Sequence, residues 1–206
     1  YYTSSGSGSN NNNVHTLSGL QISDSSGGNN TLEGGASGSI SISYYTNNGN
    51  NNNNVHTLSG LQISNSSGGT NTQDGGASGS ISISYYTTSG SNNNFHALSN
   101  SQIYNSSGGT NTEMGGAGGL AITYTNRQTN NTHIISNLTV QNSTGGDPTQ
   151  GAGAFALTSL GKTSGLNVTI QNSLFEFNQA LSDNPNQSPN TGVAGAVRIH
   201  ATSLDG

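Results

Sequence analysis

Four histidines return at one place in a repeated phrase: His15, His56, His96 and His133, within VHTL, VHTL, FHAL and THII. Imidazole binds metals and moves protons near neutral pH, so a histidine that recurs once per repeat is where chemistry is sought first. If one repeat makes one layer of a stacked β-structure, consecutive rings stand about 4.8 Å apart, close enough to share an ion. No acid or cysteine recurs beside them to complete a ligand shell. The expectation is a stacked ladder at a surface or corner, with no metal and no cofactor. A glycine corner interrupts the alternation and leaves open whether the rings face in or out.

Carboxylates are the second candidates. Glu33, Asp74 and Glu113 fall at or next to the residue before a Gly-Gly pair, so they could line up along one edge as a weak cation groove. Acid/base work on a sugar chain needs paired carboxylates, and no D-x-D or paired-Asp motif is present. A repeated polar turn is the plainer reading, because duplication copies a residue before chemistry selects it. No catalytic residue is assigned. A third recurrent set, Asp24, Asn65, Asn105, Asn142 and Asn172, is read as one corner of the fold. Asn and Asp tolerate the left-handed backbone of tight corners, and stacked amides can hydrogen-bond from layer to layer. Read as buried, such a ladder would exclude a glycan from its N-x-S/T sequons. Sequons in expected loops, at Asn29, Asn130 and Asn186, are the physically easier sites, although a chain so rich in Asn, Ser and Thr produces sequons by chance.

The elements that position these residues follow from self-similarity. LSGLQISDSSGG (17–28), LSGLQISNSSGG (58–69) and LSNSQIYNSSGG (98–109) are each followed by a second shared phrase, GGASGSISISYYT at 34–46 and 75–87 and GGAGGLAITYT at 115–125. A fixed period of about 40 residues marks a solenoid in which each unit packs on its neighbours. Two segments per unit alternate apolar and polar with period two, the strand signal. The first carries Leu20/Ile22, Leu61/Ile63, Ile103, Leu138/Val140 and Val168/Ile170. The second carries Ile40/Ile42, Ile81/Ile83, Leu120/Ile122, Phe155/Leu157 and Val197/Ile199. The histidine phrases suggest a third, weaker strand. Asn runs at 10–13, 51–54 and 92–94 and the stretch at 183–192 read as insertions at corners. The expected fold is all-β, a single β-solenoid over 1–206 with repeats near 1–43, 44–84, 85–123, 124–158 and 159–206. One layer per repeat is expected, with two layers per repeat as the alternative.

Composition narrows the partners. Only 5% of the residues are charged, 28% are hydrophobic and the net charge is −5. Arg127, Lys162 and Arg198 are the only fixed cations, too few to neutralise phosphates, so nucleic-acid binding is excluded. No apolar run reaches membrane-span length, and zero cysteines exclude a disulfide framework. The chain opens on Tyr1-Tyr2-Thr3, the phrase found again at Tyr44-Tyr45-Thr46, as expected of a processed chain or a window of a longer one. Ice binding through flat hydroxyl rows is set aside: the outward positions of the second strand, Ser39, Ser41 and Ser43, then Ser80, Ser82 and Ser84, carry no lasting Thr ladder.

NVTIQNSLFEFN (167–178) followed by AGAVRI (194–199) resembles a coil of the right-handed parallel β-helix proteins of the pectin-lyase-like superfold. The GGA triplets at 34–36, 75–77 and 115–117 are similar to those of polymorphic outer-membrane and autotransporter surface passengers. That resemblance implies a right-handed parallel β-helix. The functional expectation is an extracellular or cell-surface structural protein: a fibre, stalk or adhesin segment, glycosylated in its loops. Its partners would be glycans and either a second copy stacked end to end or the continuation of a longer chain. The alternative is a polysaccharide-binding or polysaccharide-cleaving β-helix using the Glu33, Asp74 and Glu113 edge.

Overall fold

The computed structural model describes residues 2–5, 12–29, 37–46, 51–70, 78–87, 92–109, 116–124, 128–146, 152–180 and 194–204. They form an all-β solenoid of parallel stacked strands, 65% strand and without helix. Residues one repeat apart pair directly, as in Ile40 with Ile81 and His15 with His56, so one repeat makes one layer. Complete turns number about three, fewer than the five repeats expected. Five strands stack on the best-described face, but only the middle ones have a neighbour on both sides.

Each coil has three main faces. The first stacks Val14–Ser18, Asn51–Ser59, the first part of Asn92–Tyr104, the first part of Thr132–Gln141, and Asn167–Gln171. The second stacks Gln21–Ser23, Gln62–Ser64, the ends of the two long strands, and Leu174–Glu176. The third stacks Ile40–Thr46, Ile81–Thr87, Leu120–Tyr124, Phe155–Ser164 and Val197–Leu204, with Tyr2–Ser5 laid over Ser43–Thr46. A short fourth row of bridges joins Ser26, Ser67, Ser107 and Thr144.

Left-handed residues turn the corners. Gly19, Gly60, Asn100, Asn137 and Asn172 mark the bend between the first and second faces, with φ of 64°, 61°, 49°, 50° and 49°. Asp24, Asn65, Asn105 and Asn142 mark the next bend, with φ between 51° and 52°. Asn172 was expected in this second column and belongs to the first. Its place is taken by Phe177, at φ 53°, because Gln141 pairs with Glu176. The same shift moves Val168 and Ile170 onto the first face, opposite His133 and Ile135, while Phe175 meets Val140 on the second. The Asn-rich runs, expected to be insertions, hold the fold where they are described: Asn51–Asn54 begins a strand, and Asn12 and Asn53 take φ of 59° and 56° at a third corner.

The interior is layered along the coil's width. Its middle is apolar, with Ile40, Ile42, Leu58, Leu61, Ile63, Ile81, Ile83, Ile103, Leu120 and Ile122 in one cluster. At the narrow end, Ser80 Oγ bonds Ser106 Oγ at 2.8 Å and Ser39 Oγ bonds Ser66 Oγ at 2.8 Å. Glycine permits that narrowness: a Cβ on Gly79 would stand 2.5 Å from the Gly118 carbonyl oxygen and 2.7 Å from the Ser107 backbone. Ser82 and Ser84, expected to face solvent, are 0% and 5% exposed, so the third face is covered on both sides and offers no hydroxyl plane to ice. A chain with little hydrophobic mass thus buries polar rows that stacking itself satisfies.

Candidate functional site

At the end of the interior opposite the serines lies a double file of rings. His15 and Leu17 share one parity of the first-face strand, and Leu17 packs on the core, so the histidines follow it inward. His56, His96 and His133 are buried at 0%, 4% and 0% exposure. The surface or corner ladder expected for them is therefore replaced by an interior one. From the third face, Tyr44, Tyr85 and Tyr124 extend the apolar rows Ile40/Ile42, Ile81/Ile83 and Leu120/Ile122 by one inward position and are buried beside them. Tyrosine rings stack at 5.0 Å between centroids and 7° between planes, and the histidine rings follow at 5.0, 5.0 and 4.8 Å.

The two files are stitched together. Tyr85 Oη lies 2.8 Å from Nε2 of His56 and 2.8 Å from Nε2 of His96. Tyr44 Oη lies 3.2 Å from His15 Nδ1 and 3.4 Å from His56 Nε2. Nδ1 faces Nδ1 at 3.4 Å between His15 and His56 and at 2.9 Å between His96 and His133. A hydroxyl has one proton, so Tyr85 donates to one imidazole and accepts from the other; each Nδ1 pair likewise needs one N–H and one bare nitrogen. The tautomers of neighbouring rings are therefore interlocked along the file. Two buried atoms at its far end, His133 Nε2 and Tyr124 Oη, have no hydrogen-bond partner.

Electrostatics keep the file neutral. Burial pushes the His56 and His133 imidazoles down to about 3, with the His15 charge adding to the effect on His56. Burial, then the neighbouring His133 and His56, holds His96 well below its ordinary value. His15, half-buried at the edge, is lowered chiefly by desolvation. Burial raises the Tyr85 and Tyr124 phenols well above theirs, and Tyr124 and Tyr44 add to the shift of Tyr85. Two imidazole nitrogens sharing a tetrahedral Zn²⁺ at about 2.1 Å each would stand roughly 3.4 Å apart, wider than the 2.9 Å between His96 and His133 but equal to the 3.4 Å between His15 and His56. Among the described residues no group of three His, Cys, Asp or Glu is placed to hold a metal ion.

A second buried file, unforeseen in the sequence, runs beside it. Asn13 Nδ2 donates to Asn54 Oδ1 at 2.8 Å and Asn54 Nδ2 to Asn94 Oδ1 at 2.9 Å, while the Asn94 backbone N–H donates to Asn131 Oδ1 at 2.6 Å. The expected corner ladder exists in shorter form and on the outside. Asn65 Nδ2 donates to Asp24 Oδ1 at 3.1 Å and Asn105 Nδ2 to Asn65 Oδ1 at 3.3 Å, and Asp24, Asn65, Asn105 and Asn142 are exposed. Burial therefore does not bar a glycan there. Asn29 is exposed, with its Oδ1 accepting the Thr70 N–H at 2.9 Å. Asn130 sits at a tight corner with φ 55° instead of in a loop. Asn186 and the acids Glu33, Asp74 and Glu113 lie outside the described residues.

The chain matches no protein-family model, no curated protein and no solved structure.

Proposed function

We propose that this chain is an extracellular structural protein, a segment or subunit of a β-helical fibre, stalk or surface adhesin with no catalytic activity. One observation carries the reading: each described coil is hydrogen-bonded to its neighbours in parallel register, and at both ends the stacking edge carries apolar side chains. Val14 is 67% and Leu20 37% exposed at one end, where an open cavity of about 520 Å³ is lined by Val14, Leu17, Leu20, Ile22, Ile40 and Ile42. Leu174, Phe177 and Ile199 are 44%, 79% and 49% exposed at the other. Parallel strand edges over an apolar core add a further coil without a new kind of interface. That coil is a second copy or more of the same chain. Low charge density leaves little repulsion to oppose the addition.

Electron microscopy of the native material at near-physiological salt tests this. Filaments or rods extended by whole coils are expected; isolated short rods that never lengthen with concentration would sink the stacking claim. A second reading, polysaccharide binding, draws on an exposed groove of about 440 Å³ along the second face, lined by Gln21, Ser23, Gln62, Ser64, Gln102 and Tyr104. Glycan-array binding lost on changing Gln62 and Gln102 to Ala would favour it.

A further inference from the structure

We propose that the histidine–tyrosine file is an acid-triggered release built into the coil: the solenoid holds while its imidazoles are neutral, and the stacked coils open together on mild acidification. The inference does not rest on the fibre reading, because sensor and responding element lie within one chain.

The geometry sets the rule. In the neutral file each contact joins one N–H or O–H to one bare nitrogen or oxygen, across 2.8 Å at both arms of Tyr85 and 2.9 Å between His96 and His133. One added proton can be absorbed by re-orienting donors along the file, at the cost of a buried charge. A second proton on an adjacent ring sets N–H against N–H, at 2.9 Å for His96 and His133 or at 3.4 Å for His15 and His56. No hydrogen-bond arrangement then survives.

Among the described residues no acid faces the file. His15 faces His56 and Tyr44. His56 faces His15, Tyr44, Tyr85 and His96. His96 faces Tyr85, Tyr124, His56 and His133, and His133 faces His96 and Tyr124. From the next coil the equivalent position is Val168. Among the described residues Asp24 and Glu176 lie on the second face and its corner, away from the rings. Among the described residues, protons therefore enter a stack of imidazoles and neutral phenols, and His15, the half-buried ring at the edge, is the point of entry. Once strands part, the rings titrate freely near 6.5. Folded groups that resist protonation are stabilising above that pH and lose that stability as it falls, so the window opens below about 6.5.

The file also fixes the shape of the response. Adjacent rings that share hydrogen bonds cannot both be protonated within the folded coil, so beyond the first proton uptake is coupled to opening.

Far-UV circular dichroism of the dissolved chain, read from pH 7.5 to 3.5, tests the proposal. Strand signal should be lost between about pH 6 and 4 with uptake of two or more protons per opening event. A His56→Val/His96→Val/Tyr85→Phe variant replaces the centre of the file; Val is chosen because Val168 already fills that column in the fifth coil. Its midpoint should move down by at least about one pH unit and its proton uptake should fall by about two. Wild-type signal unchanged to pH 4, or a variant with the wild-type midpoint, overturns the proposal. Should the variant fail to fold at neutral pH, ¹⁵N NMR of the wild-type rings decides. Signals in which adjacent rings stay neutral until the strand signal disappears support the release; His96 and His133, or His15 and His56, both becoming imidazolium while the strands remain overturn it.

Discussion

Tyr85 Oη has two imidazole partners at equal distance, so removing it orphans Nε2 of His96 and leaves Nε2 of His56 only the longer 3.4 Å contact with Tyr44 Oη. Tyr85→Phe keeps the 5.0 Å ring stack with Tyr44 and Tyr124 and deletes only the hydroxyl. Leaving buried polar groups unsatisfied costs about 1–3 kcal/mol, and that loss is expected in urea unfolding of the variant at pH 7.5. Tyr124→Phe is the matched control: its hydroxyl is buried without a partner, so removal should be neutral or stabilising. Equal losses in the two variants would show that the hydrogen bonds to histidine contribute nothing. The identity of the file was half legible. Recurrent histidines stand out in the sequence, but VHTL carries an apolar residue on each parity, Val14 with Thr16 and Leu17 with His15. Nothing local says which pair is inside. The answer lay with the tyrosines of the third face, whose parity with Ile40/Ile42 and Ile81/Ile83 is unambiguous.

At the scale of strands and corners, apolar alternation on the third face foretold every pairing from Ile40–Ile81 to Phe155–Val197, because five aliphatic or aromatic pairs admit one register. The second face misled in the last coil. NLTVQNS at 137–143 and NVTIQNS at 167–173 look alike, yet Asn137 is aligned with Asn172, five residues further than the resemblance places it. Corner geometry overrode sequence similarity, and the result is Phe177 in the left-handed region, 79% exposed. A bulky residue there is strained and buries little, so Phe177→Asn should stabilise by about 1 kcal/mol, read as a raised unfolding midpoint. No gain, or a loss, would mean that the ring is held in a contact worth more than the strain. Glycines divide by the same reasoning. Gly60 has φ 61° and room for a side chain, and Asn100 and Asn137 fill its column, so Gly60→Asn should cost less than about 0.5 kcal/mol. Gly79→Ala should cost about 2–4 kcal/mol, because its Cβ would strike the Gly118 carbonyl and the Ser107 backbone, neither of which can move without parting coils.

The whole molecule behaves as a stack of nearest-neighbour contacts, and its rows do not all have the same length. Histidines give way to Val168 and the tyrosines to Ser159 in later coils, while the third-face core continues to Val197. Stability should therefore be close to a sum over coils, with the second and third coils, where both rings are fully embedded, contributing most. Excising residues 58–97 joins Thr57 to Leu98, which continues the strand in register because Leu58 and Leu98 are direct partners. The shortened chain brings His56 and Tyr124 into one coil, keeps His133 above them, and loses Tyr85 and His96 together, so imidazoles and phenols are removed in equal number. It should fold as a β-solenoid with a urea m-value reduced in proportion to the surface of one coil. Its unfolding free energy should fall by more than the share of residues removed, since an interior coil takes an inter-coil interface with it. An excised chain that does not fold, when Gly60→Asn in the parent folds normally, would show that the coils are not interchangeable and that the ring file in the middle nucleates the stack.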